Sequence, residues 1–200
     1  MERDPRNEGT DDPESVASAT CDEISAVEPD WSREHCRRFW DPSRRLIRAV
    51  RIYQSWRARG AVFRLLSGYW VLEHRFWSAV TGADIPTICE VGGGLLLPHA
   101  NGIVIHPGAV IGPNCTLFQQ VTIGFGGPKS GLPVLGGHVD VGAGAKVLGG
   151  VRLGDHCRIG ANAVVLDDVP AGATAAGVPA RVVRVADPRD LSADVADERR

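Results

Sequence analysis

The chain carries little that would mark it for a membrane, a nucleic acid or an oxidising compartment. Acidic and basic residues nearly cancel, 24 against 22, and the formal net charge of -2 gives no general case for binding polyanions or anionic lipid. No apolar run is long enough to cross a bilayer. The longest, over 61–72, is interrupted by Arg64 and falls short of the ~20 residues a spanning helix needs. The opening Met1-Glu2-Arg3-Asp4 lacks the charged-then-apolar layout of a secretory leader. Cys21, Cys36, Cys89, Cys115 and Cys157 are odd in number and form no CxxC pair, so they read as free thiols in a reducing cytoplasm. Aromatics are scarce after residue 80, and any core there must be built from aliphatic side chains.

Charge is segregated along the chain. Residues 1–30 are dominated by Asp and Glu, whereas 31–77 are rich in Arg. We expect a disordered acidic tail over 1–29, an α-helical region over 30–82, a repeat domain over 83–185 and a charged tail over 186–200. Asp41-Pro42 is a helix start, with an N-cap side chain followed by Pro at the first helical position. Leu46, Ile47, Val50, Tyr53 and Trp56 then recur at helical spacing, and Gly60 is a stop. A second helix is expected over 61–80, carrying Phe63, Leu66, Trp70 and Trp77 and ending at Gly82. Both helices read as a cap on the repeat domain.

From Ile85 to Gly177 the chain reads in sixes. Val91 and Leu97 open successive hexads, Ile103 opens another, and an eight-residue step leads to Ile111, Leu117 and Ile123. After an excursion over 125–134, the frame resumes at Leu135 and runs through Val141, Val147, Leu153, Ile159 and Val165. This period belongs to a parallel β-helix. One hexad makes a strand and a turn, and three make a triangular coil. The opening aliphatic residue of each hexad points inward, contributing roughly 1.5–3 kcal/mol when buried. Gly serves corners that need φ > 0, and the end coils need caps. The Gly/Pro-rich excursion is a natural binding loop.

Leu97-Pro98-His99-Ala100-Asn101-Gly102, Gln119-Gln120-Val121-Thr122-Ile123-Gly124, the run from Val141 through Lys146 to Gly149, and Gly177-Val178-Pro179-Ala180-Arg181 resemble the serine O-acetyltransferases. The resemblance covers roughly 84–184. It implies a mainly β fold, a left-handed parallel β-helix of hexapeptide repeats with an N-terminal α-helical cap. It also implies acetyl transfer from acetyl-CoA to the hydroxyl of L-serine in cysteine biosynthesis, in a trimer or a dimer of trimers, with no metal. His99 stands where the family has its general base, and Asp84 where it has the supporting carboxylate. An imidazole titrates near neutrality and suits removal of a hydroxyl proton, and a carboxylate on its far nitrogen fixes the tautomer. The turn beginning at Gly124 is the candidate source of oxyanion donors. Ala143 and Ala161 match positions that contact CoA. Arg158, Lys146 and Arg181 are candidates for its phosphates.

The chain departs from the family pattern at the acceptor. Pro98 precedes His99 where the family usually has Asp, and Gly131 and Leu132 stand where it has Arg and His. Lys129 or a helix Arg is the candidate replacement cation, and Asp140 or Asp41 the anion. These departures leave a sugar or another hydroxy amino acid as an alternative acceptor. The chain ends in Arg199-Arg200 rather than the Ile used to engage a sulfhydrylase partner, so the resemblance does not extend to that complex. Two other classes remain open, a zinc hydratase drawing on His99, His106, His138 and His156, and a non-catalytic trimeric scaffold. The histidine spacing shows no close pair suited to such a zinc site.

Overall fold

In the computed structural model, residues 24–59, 63 and 67–185 are described. The expected tail over 1–23, the stop at Gly60, the start of the second helix and the tail over 186–200 lie outside them. A 3-10 turn, Trp31–Glu34, leads to α1, Pro42–Ala58, and α2, Gly68–Thr81. Short strands then alternate among three sheets. Sheet A holds β2 (Val104–Ile105), β5 (Thr122–Gly124), β8 (Lys146–Leu148) and β11 (Val164–Val165). Sheet B holds β1 (Glu90–Val91), β3 (Val110–Ile111), β6 (Val134–Leu135) and β9 (Arg152–Leu153). Sheet C holds β4 (Thr116–Leu117), β7 (Asp140–Val141), β10 (Arg158–Ile159), β12 (Ala173–Ala176) and β13 (Arg181–Val185). All pairings are parallel except β12 with β13. The coils form the left-handed parallel β-helix that the resemblance implies.

The hexads explain the core. Ile85, Ile105, Ile111, Leu117, Ile123, Leu135, Val141, Val147 and Val165 are buried in one continuous column of coils. A second inward position, two residues earlier, takes small or β-branched residues such as Ala109, Cys115, Val121, Val139, Ala145 and Cys157. Burial pushes the Cys89 thiol up to about 11 and those of Cys115 and Cys157 up to about 12. They stay protonated and serve as small apolar groups. Leu46, Ile47 and Trp77 join the same core, so α1 and α2 do cap the first coil.

Register corrects the frame read from the sequence. Val104 pairs with Thr122, 18 residues on, whereas Leu96 pairs with Thr116, 20 residues on. The eight-residue step therefore lies between Leu97 and Ile105, not between Ile103 and Ile111. Ile103 and Ile105 are both buried, and sequence alone offers no choice between them. The role of glycine is also wider than φ > 0. At Gly142 a Cβ would lie 2.7 Å from Ala161 N and 2.8 Å from Ile159 O, so close approach of the next coil excludes a side chain. Several left-handed corner positions are instead held by Asn114, Gln120, His138, His156 and Asn162.

Residues 24–29 are docked on the β-helix. The expected disorder over 1–29 fails for 24–29, because the fully buried Asn114 ties this segment to the β-helix. Its Oδ1 accepts from Asp30 N at 2.7 Å, and its Nδ2 donates to Ser25 O at 2.7 Å and Glu28 O at 2.8 Å. Arg33 donates to Asn114 O and Thr116 Oγ1. Glu34 receives two bonds from Arg51, which also donates to Val91 O and Gly92 O. Asp41 occupies the N-cap position of α1 but makes no capping bond. Its carboxylate takes Arg44 Nη1 and Arg37 N instead.

Asn114→Gly keeps the left-handed backbone and deletes only the side-chain bonds. It is expected to lower stability by about 1–3 kcal/mol in urea unfolding, whereas Asn162→Gly, at an exposed corner of similar φ, stays within about 0.5 kcal/mol. Equal effects of the two would contradict the role given to Asn114.

Candidate active site

His99 lies on the corner that joins sheet C to sheet A, within the step that carries two extra residues. The register on either side of that corner is fixed by Leu96 with Thr116 and Asp84 with Val104. The extra length is accommodated outward, and Pro98 and His99 are both exposed while Leu97 and Ala100 are buried. The solenoid thus lifts this imidazole clear of its wall. Asp84 begins sheet A in the coil beneath: its N–H donates to Ile103 O at 2.7 Å and its carbonyl accepts from Ile105 N at 2.9 Å. Its side chain is also exposed. No hydrogen bond joins Asp84 and His99 among the described residues, although the fold brings both to the same end of sheet A.

Register from Thr116 through Asp140 to Arg158 stacks Gln119, Ala143 and Ala161 in one column along this corner, with His99 at its foot. Ala143 O accepts from Asn162 N of the next coil at 2.8 Å. Gln119 carries no sequence signal that marks it as a site residue. Its Oε1 is buried without a partner among the described residues.

The other candidates are spread more widely. Lys146 lies on sheet A facing this corner, with Nζ donating to Gln120 O at 2.6 Å and Thr122 Oγ1 at 3.1 Å. Arg158 is on the outer face of sheet C, with Nε 3.8 Å from Asp140. Arg181 opens β13 and bonds Asp167 and Ala180 O. Gly124 ends β5, across the full width of sheet A from the His99 corner, and its carbonyl accepts from Gly149 N. One chain therefore sets His99, Asp84, Ala143, Ala161 and Lys146 along one corner of the solenoid, and Gly124, Arg158 and Arg181 elsewhere. Lys129, a candidate acceptor cation, pairs with Asp168 at 3.1 Å, and Leu132 packs over Gly108.

Asp140 lies on the outer face of sheet C rather than beside His99. Burial raises its pKa, against the opposing pull of a Thr116 hydrogen bond and the Arg158 and Arg33 charges. Asp84, by contrast, opens onto a cleft of about 510 Å³ between α2 and the first coil, lined also by His74, Arg75, Ser78 and Thr87. His74 Nε2 donates to Ile85 O at 2.8 Å. Helical spacing alone did not reveal that this face of α2 turns toward Asp84.

Comparisons with known proteins agree with this architecture. Residues 133–167 match the family model described as bacterial transferase hexapeptide (six repeats). A serine acetyltransferase of Salmonella typhimurium is 37% identical over 185 residues, spanning 86% of this chain and 63% of the relative. The soybean serine acetyltransferase complexed with serine superposes with a TM-score of 0.60 at 34% identity, covering 71% of this chain and 57% of that one. The serine acetyltransferase of Brucella abortus in complex with coenzyme A gives 0.63 at 32% identity, covering 76% and 62%. Against several other curated serine acetyltransferases the chain spans less than half of the relative's length.

The raised Asp140 pKa has a signed consequence. The folded state holds its proton more tightly than the unfolded state, so this group favours folding below the ordinary value of 3.8 and loses that contribution as pH rises through the raised value. Relative to Asp140→Asn, the native chain should lose stability on going from about pH 4 toward neutrality, measured by urea unfolding at several pH values. Parallel stability profiles for the two proteins would contradict it.

Proposed function

We propose, from a chain whose sequence and fold are similar to those of the serine acetyltransferases, that it transfers acetyl from acetyl-CoA to the hydroxyl of L-serine, giving O-acetylserine for cysteine biosynthesis. The observation that carries this reading is the exposed His99 at the foot of the corner column that carries Ala143 and Ala161. Neutral His99 takes the serine hydroxyl proton as the oxygen attacks the thioester carbonyl. The tetrahedral oxyanion collapses, the C–S bond breaks, and the imidazolium returns its proton to the departing CoA thiolate. Asp84, once rotated toward the ring, orients it and stabilises its charged form. The pantetheine arm runs along the alanine column, with Lys146 and Arg158 toward the phosphates and Arg181 beyond them.

The separation of Gly124 from His99 within one chain supports a homotrimer as the working unit. In it, the Gly124 turn of one protomer meets the His99 corner of the next and supplies backbone N–H groups to the oxyanion. The catalytic unit is the β-helix over 83–185, and the region over 30–82 caps it. Tyr69, Leu72, Phe76 and Val80 leave an apolar stripe exposed along α2, which favours pairing of trimers through the helices. Cys36, Cys89, Cys115 and Cys157 are free thiols, in keeping with a cytoplasmic protein. No helix among the described residues is long and apolar enough to cross a membrane.

A second acceptor, a sugar or another hydroxy amino acid, is favoured by one observation: Leu132 packs over Gly108 and Lys129 is engaged by Asp168, so neither offers a free cation to a carboxylate.

His99→Ala is expected to lower kcat for acetyl transfer to serine by about 10²–10⁴, measured as thiol release from acetyl-CoA. Activity within about threefold of the native enzyme would remove His99 from the general-base role. The same assay across serine, threonine and hexoses identifies the acceptor, and a wide preference for a sugar would replace serine. Ala161→Leu, at an exposed position, is expected to raise KM for acetyl-CoA by about tenfold or more while leaving KM for the acceptor unchanged. An unchanged KM for acetyl-CoA would take the cofactor away from this column.

A further inference from the structure

The corner between sheets B and C, remote from His99, carries a pair of imidazoles that the sequence spacing did not announce. Register from Val134 to Arg152 places His138 directly beneath His156, one coil of three hexads apart. Both rings are half-buried, both residues hold left-handed backbone with φ of 51° and 57°, and the two Nδ1 atoms are 2.8 Å apart. The ring planes cross at 83° with centroids 5.0 Å apart. A contact of this kind between neutral rings requires one Nδ1 to carry the proton and the other to present its lone pair. The histidine spacing, read only for a zinc site, gave no sign of this contact. The missed signal was the separation itself, since residues 18 apart in an uninterrupted part of the solenoid occupy the same corner of adjacent coils.

The geometry points to a transition-metal site at this corner, in which a divalent ion replaces the shared proton and is held by His138 Nδ1 and His156 Nδ1. Imidazole nitrogens bind such ions at about 2.0 Å. Two of them 2.8 Å apart subtend close to a right angle at the ion. That is the cis angle of square-planar or tetragonal coordination, the preference of Cu(II) and Ni(II). A tetrahedral zinc ion needs its donors about 3.3 Å apart and so asks for a wider movement of the two rings. Turning each lone pair from its neighbour toward the ion needs only rotation about the soft second side-chain torsion. No third His, Cys, Asp or Glu joins the pair among the described residues, and water fills the remaining positions. Asp155, between the two coils, is occupied on one oxygen, which accepts from Gly137 N at 2.8 Å. The ion would clamp two coils together at the corner crossed by the N-terminal segment, whose Ala26 lies against Gly137. It stabilises the fold and takes no part in the chemistry at His99.

The test uses untagged full-length protein titrated with Cu(II), Ni(II) and Zn(II) in calorimetry, with electron paramagnetic resonance of the copper form. His138→Asn and His156→Asn are suitable variants because Asn tolerates left-handed backbone and already occupies the same corner at Asn114. The expected result is one copper ion per chain with hyperfine structure from two imidazole nitrogens. Nickel should bind more tightly than zinc, and each single variant should lose about tenfold or more in copper affinity. His99→Ala should bind copper as the native chain does. Copper retained with unchanged affinity and spectrum in the double His138→Asn/His156→Asn variant would overturn the proposal, as would zinc binding more tightly than nickel, or the absence of saturable copper binding by the native chain.

Discussion

Everything in this molecule depends on the register between stacked coils. Each coil contributes inward aliphatic side chains that are worth burying only if the next coil stacks them in line, and the parallel ladders enforce that alignment. Asp140 over Thr116, Arg158 over Asp140 and Lys146 over Thr122 follow from the hydrophobic column rather than from any attraction of their own. The outward side chains inherit this order. A corner thus becomes a column of equivalent positions, and whatever occupies it is presented at a fixed spacing along the axis.

The three corners use this property differently. At the junction of sheets C and A, Ala143 and Ala161 stack as small residues in one column, and two extra residues push His99 out at its foot. At the junction of sheets A and B, the excursion over 125–133 folds back on the next coil, with Lys129 O accepting from Gly150 N. At the junction of sheets B and C, Asn114, His138 and His156 hold left-handed backbone and bind either the N-terminal segment or one another. A catalytic reading that needs both the first and second corners implies a partner protomer, because a prism cannot turn two of its edges toward one point.

Much of this was legible in the residues. The hexad period gave the solenoid and the aliphatic column, helical spacing gave the two helices of the cap, and the family resemblance gave the motif around His99. The period did not give the frame around Ile103 and Ile105, since either isoleucine satisfies the pattern and only the pairing of Ile105 with Ile123 decides. It did not give the docked segment over 24–29 either. That stretch looks like solvated tail, and it is ordered by one buried amide, Asn114, some 84 residues away from Asp30. The acceptor site was the least legible part. Pro98, Gly131 and Leu132 withhold the charges that the motif leads one to expect, and Arg75 lines the Asp84 cleft from α2.

The central claim is that one corner column both holds the thioester and presents the base. The most direct measurement is a crystal structure with CoA bound. The account predicts the pantetheine arm along Gln119, Ala143 and Ala161, its sulfur within about 4 Å of the His99 imidazole, and the Gly124 turn of a neighbouring protomer closing over it. CoA bound along another corner, or a sulfur out of reach of His99, would contradict it.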